Sequence, residues 1–141
     1  MINIKLGVFC VIVLISFISL VGCENKEFVK DYTEYKKLYV EVVNEFVPND
    51  SDYELEKLNE PPIMEKLEQM DKIVKKMSNN ASTKREKQML SNALQLNEGL
   101  QFLKYAANNK DNLTLDERRK RSGEVLSAKM NRKDIEEGDL L

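Results

Sequence analysis

Between Phe28 and Phe46, six side chains (Phe28, Tyr32, Tyr35, Tyr39, Val42 and Phe46) recur at intervals of 4, 3, 4, 3 and 4 residues. An α-helix turns once in about 3.6 residues, so this spacing lines all six along one stripe, whereas a strand would need strict alternation. Val29, Leu38 and Val43 widen the stripe. The same rhythm returns at Ile63, Leu67, Met70, Val74 and Met77, flanked by Met64 and Ile73, and again at Met89, Ala93, Leu96, Leu100, Leu103 and Ala107, beside Leu90, Leu94 and Phe102. No run alternates at period two for long enough to nominate a strand. The fold class expected is all-α.

Breaks in the rhythm set the element boundaries. Pro48 ends the first helix, because a proline removes a ladder donor and bars helical angles from the residue before it. Ser51 and Glu54 have capping-box spacing and predict a brief helical turn over 52–59 before Pro61 and Pro62. The second long helix starts near Pro62, whose fixed φ suits a first turn, and stops at Ser78-Asn79-Asn80. Thr83 with Glu86 opens the third helix, and Thr114 with Glu117 opens a fourth that is expected to reach about Met130. The fourth has the poorest stripe (Leu115, Ser122, Val125 or Leu126, and Met130), with Arg118 and Arg119 where an apolar residue is expected. Gly99 either weakens the third helix by about 1 kcal/mol or permits a close helix crossing. Short connections force neighbours to run up and down, so residues 28–130 are expected to form a small antiparallel bundle of three to four helices. A homodimeric coiled coil is the structural alternative. Residues 131–141, ending DIEEGDLL, are expected to be a flexible acidic tail.

Before Phe28 the chain has a different character. Lys5 is followed by the apolar run Val8 to Leu20, which carries only two serines and reads as the charged and hydrophobic regions of an export signal. The run closes at Leu20-Val21-Gly22-Cys23, which resembles the lipobox of bacterial lipoproteins at all four positions. That resemblance implies cleavage after Gly22, making residues 1–22 a lipoprotein signal peptide. It also implies a diacylglyceryl group on Cys23 and a lipidated tether over residues 23–27. The expected location is the extracytoplasmic face of the cell membrane, with two acyl chains sufficing for stable anchoring. An uncleaved signal anchor is the alternative, since Leu6 to Gly22 lies at the lower limit for spanning a bilayer. Either reading places the rest of the chain outside the cytoplasm.

Past residue 22 there are 21 basic and 24 acidic residues, no histidine, no tryptophan and one cysteine. A disulfide framework, a thiol–imidazole pair, zinc held by His or Cys, di-iron and axial-histidine haem sites all lack their residues. Asp50, Asp52 and Glu54 begin like a calcium loop, but Leu55 and Pro61 stand where glycine and the bidentate glutamate are needed. No phosphate-loop, dinucleotide-binding or nucleophile-elbow pattern occurs. No cofactor is therefore expected, and the excess of acid argues against nucleic acid. The sequons at Asn80 and Asn112 read as chance and as cap chemistry.

Two constellations remain. The seam of Tyr32, Tyr35 and Tyr39 reads as a core face or, alternatively, as a ligand groove. Arg118, Arg119, Lys120 and Arg121 place four cations in one turn that could meet phosphate or an acidic surface. Consecutive helical residues point in different directions, so local pairing with Asp116, Glu117 and Glu124 is the competing reading. Together these features lead to an expected role as a membrane-anchored protein-binding module rather than an enzyme, of immunity type or accessory to an envelope machine. A small-ligand or wall-polymer carrier, or a carboxylate-based wall-modifying enzyme, is the alternative.

Overall fold

The computed structural model describes residues 25–49 and 52–140. The described residues form four α-helices and one 3-10 turn, with no strand among them: α1 (Lys26–Phe46), the 3-10 turn (Leu55–Asn59), α2 (Pro61–Asn80), α3 (Lys84–Asn108) and α4 (Leu115–Glu137). The all-α bundle expected from the spacing is the observed architecture. None of the described helices is long and apolar enough to cross a membrane.

Every member of the three stripes is buried, and together they form one contiguous core. Helix α1 begins two residues earlier than its stripe because the Asn25 side chain accepts a hydrogen bond from Glu27 N at 3.0 Å, satisfying an otherwise unpaired amide of the first turn. At its other end Val47 is still held to Val43 O at 2.8 Å before Pro48 stops the ladder. The chain then folds back, with Glu54 N bonded to Phe46 O at 2.7 Å, and the 3-10 turn buries Leu55 and Leu58. The predicted Ser51 cap of this turn lies outside the described residues. Pro61 occupies the first position of α2, where its missing N–H removes no helical bond. Both predicted boxes, Thr83 with Glu86 and Thr114 with Glu117, are fully formed.

Ion pairs and hydrogen bonds fix the directions. Lys66 meets Glu41 at 2.8 Å near one end of α1, while Lys76 meets Glu27 at 2.7 Å and Asp31 at 3.0 Å near the other, so α1 and α2 are antiparallel. Asn25 N reaches Glu86 and Tyr35 Oη reaches the Ala93 carbonyl, so α1 and α3 run the same way. Helix α4 returns along α3, with Glu117 accepting from Tyr105 Oη at 3.0 Å and the Glu124 carboxylate lying over Gly99. Among the described elements it packs on α1 and α3.

Two expectations change in the last element. Helix α4 does not stop at Met130 but continues to Glu137, and Ile135 and Leu140 pack against the core. The chain turns at Gly138, whose φ of 80° is the left-handed conformation that a residue without Cβ adopts without strain. The Lys36 ammonium donates to the Leu140 carbonyl at 3.1 Å, tying the end of the chain to the middle of α1. The segment expected to be a flexible acidic tail is thus mostly helix and partly core. Arg132 explains why: its guanidinium donates to Asn44 Oδ1 and the Val47 carbonyl, both at 3.0 Å, a tertiary partnership invisible to local periodicity.

Candidate interaction surface on the fourth helix

The tyrosine seam is core. Tyr35, Tyr32 and Tyr39 are 0, 1 and 2% exposed. Tyr35 Oη donates to the Ala93 carbonyl at 2.9 Å, so its hydroxyl is satisfied inside the bundle. Burial, with smaller contributions from Tyr39, Asp71 and Tyr32, pushes its ionisation far above the ordinary phenol range. Tyr39 is pushed up to about 12, chiefly by burial, with Asn131 opposing and Glu124 reinforcing. Burial also raises Tyr32, with the Asn92 side chain opposing; its oxygen makes no hydrogen bond of good geometry, and the Lys36 ammonium sits 4.8 Å from its ring centroid. Burial puts the three rings in the core, and Tyr39 alone also lines a cleft between α3 and α4.

The cationic run divides as helical geometry requires. Arg118 donates from Nε to the Leu113 carbonyl at 3.0 Å, and Arg119 reaches Asp116 at 3.4 Å. Lys120 lies 4.3 Å above the Phe102 ring, and Arg121 is half-buried with its Nε lacking a hydrogen-bond partner. Of the expected acidic partners only Asp116 pairs with the run by an ion pair. Glu117 closes the α4 capping box and Glu124 faces Gly99. The four cations therefore form no single patch. Cys23 lies outside the described residues. No group of three His, Cys, Asp or Glu side chains that could hold a metal ion occurs among the described residues.

Three further features belong to the tertiary structure, the first of them foreshadowed by the poor stripe of the fourth helix. The first is the outer face of α4. Only Val125 and Ala128 of this helix are fully buried, whereas Leu115, Leu126 and Met130 are 64, 59 and 58% exposed. At about 100° per residue these three fall within about 60° of one another and span about 22 Å of helix. Its weak stripe was a signal that this helix leaves large apolar side chains exposed.

The second is a cleft of about 500 Å³ between α3 and α4, floored by Gly99 and Tyr39 and edged by Glu98, Lys120, Glu124 and Asn131. A Cβ at Gly99 would lie 2.9 Å from Glu124 Oε2 and would displace the end of that flexible side chain. A Cβ at Gly123 meets nothing within 4 Å. Gly123→Ala is expected to raise the unfolding free energy by about 0.5–1 kcal/mol through helix propensity alone. Urea denaturation read by circular dichroism checks this, and an unchanged or lowered midpoint would contradict it.

The third is Glu86, buried at 1% exposure although it is charged. Its Oε1 accepts from Asn25 N at 3.0 Å, and its Oε2 accepts from Ser82 N, Ser82 Oγ and Thr83 N at 2.8, 2.8 and 2.9 Å. The backbone amides of Thr83, Asn25 and Ser82, then the Ser82 hydroxyl, hold this carboxyl down to about 2. The capping box was legible, but the bond to Asn25, 61 positions away, was not.

Fold and surface together define a four-helix, all-α module with a compact core and one partly packed helix. Comparison with known protein families, with characterised proteins and with solved structures finds no match to this chain. The functional reading accordingly rests on the chain's own chemistry.

Proposed function

We propose that this chain is a bacterial lipoprotein, held on the outer face of the cell membrane by lipid on Cys23, whose bundle binds another protein of the envelope. Immunity against an envelope-directed toxin and accessory service to an envelope machine are the two forms of that role. The observation that carries the reading is how soon the bundle starts. Helix α1 opens at Lys26, and Asn25 is fastened to α3 through Glu86. Two chain steps separate Cys23 from Asn25, a reach of at most about 7 Å. A lipid on Cys23 would therefore hold the bundle against the bilayer with no free leash, a geometry suited to a fixed docking platform. Exposed apolar side chains on other elements, among them Tyr53, Met64, Leu94 and Tyr105, offer surface to a partner.

The test is fractionation and cross-linked pull-down of the full chain against Cys23→Ala. The variant is expected to leave the membrane or to persist as uncleaved precursor, and to lose a protein recovered stoichiometrically with the native chain. A normally processed variant that stays on the membrane would remove the lipoprotein reading. The cleft between α3 and α4 favours a second reading, a carrier of a small polar ligand. Under it, the pull-down would retain a small molecule or glycan and no protein.

A further inference from the structure

Helix α4 holds seven Lys and Arg side chains and six acids, and between Arg118 and Lys133 the single acid is Glu124, in a chain whose formal net charge is −2. That acid is turned inward: its carboxylate lies against Gly99 of α3, so it does not neutralise the outer face. The outer face itself interleaves the two kinds of side chain. Arg119 and Lys133 project among Leu115, Leu126 and Met130, and the acids near them are Asp116, 3.4 Å from Arg119, and Glu137, 3.7 Å from Lys133. Both ion pairs are solvent-exposed, and such pairs yield readily to a stronger anionic field. Beside Met130, an open hollow of about 350 Å³ is bounded by Lys129, Arg132 and Lys133, with Glu136 the one acid on its rim.

We infer that the outer face of α4 lies on an anionic lipid bilayer, with Leu126 and Met130 entering the headgroup layer and the surrounding cations meeting lipid phosphates. This face offers a bilayer both kinds of contact: Leu126 and Met130 reach the acyl boundary while the Lys and Arg side chains interleaved with them reach lipid phosphates. Each Lys or Arg near such a surface contributes about 1 kcal/mol of attraction. The inference rests on the proposed membrane tether for its setting, because an anchor within two residues of the bundle gives the face a high effective concentration of lipid. With the bilayer engaging α4, the opposite side of the bundle, where α2 lies, is left turned outward for the protein partner.

The chain has no tryptophan, so Leu126→Trp supplies a single reporter at an exposed position. The full chain carrying it is reconstituted into vesicles of phosphatidylcholine alone or of phosphatidylcholine with phosphatidylglycerol. A blue shift of emission and quenching by brominated lipid are expected in the anionic vesicles only, reversing at high salt. Leu94→Trp, on the exposed side of α3, is expected to show neither. In the reporter chain lacking residues 1–23, which retains every core side chain, replacing Arg119 and Lys133 by glutamine is expected to lower partitioning about 30-fold. Circular dichroism establishes that both versions are folded. Emission unchanged in both vesicle types would overturn the inference, as would a reporter that cross-links to a protein and not to lipid. The tether is judged separately by Cys23→Ala, so a lipid-blind α4 with a released Cys23 variant would refute this inference alone.

Discussion

Tyr35→Ala is expected to lower the unfolding free energy by about 3–5 kcal/mol, the range for emptying a large aromatic site in a packed core. Tyr35 is fully buried between α1 and α3, and its hydroxyl bonds the Ala93 carbonyl, so the variant loses packing and leaves that carbonyl without its side-chain partner. Tyr35→Phe separates the two losses and is expected to cost about 1 kcal/mol, the usual net value of one hydrogen bond. Tyr32→Phe is the internal control. The buried Tyr32 oxygen makes no hydrogen bond of good geometry, with Asn92 its polar neighbour, so removing it is expected to leave stability nearly unchanged. Urea denaturation of the three variants checks the ordering. If Tyr35→Ala melted like the native chain, the seam would be a site rather than a core.

The second large effect is expected at Glu86. This carboxylate accepts four hydrogen bonds and joins the start of α1 to the start of α3. Because its folded value is held down to about 2 from 4.5, the ionised form is favoured by folding. Its contribution is therefore complete above about pH 4.5 and is lost as the pH falls towards 2. Glu86→Gln is expected to be less stable than the native chain at neutral pH, since an amide cannot accept at both ends and brings donors towards Asn25 N and Ser82 N. It is also expected to flatten the acid limb of stability against pH, so that the two chains converge near pH 2. Thermal melts of both chains across that range check this. Parallel curves would show that another carboxylate governs the acid limb.

The three strong helices were readable because each depends on information inside its own segment. A stripe at 3 and 4 spacing has one way to be buried, and a capping box satisfies its amides within four residues. Hence the stripe members from Phe28 to Phe46, from Ile63 to Met77 and from Met89 to Ala107 all reached the core. The fourth helix obeyed the same rule at its start, where Thr114 caps it, and at Gly138, which ends it, but not in the stretch between. Past Met130 its helix is held by Arg132 on α1 and by Ile135 and Leu140 against the core, contacts made between segments. Among the candidate sites, the tyrosines could be nominated from spacing, but only packing could choose between core and groove. The cations could be counted, but only the neighbours of each one decided where it points.

The sequence by itself determined that this chain is helical, where its caps lie and which stripes must be buried. Those are properties of single segments, governed by periodicity and by hydrogen bonds a few residues long. The tertiary structure alone decided that α1 and α3 run parallel, that Glu86 fastens Asn25, that Glu124 turns inward over Gly99, and that Leu126 and Met130 stay outside. Each of these depends on which surfaces meet across the fold. A side chain's burial is a property of the pair of elements that enclose it, and no local pattern encodes that pairing.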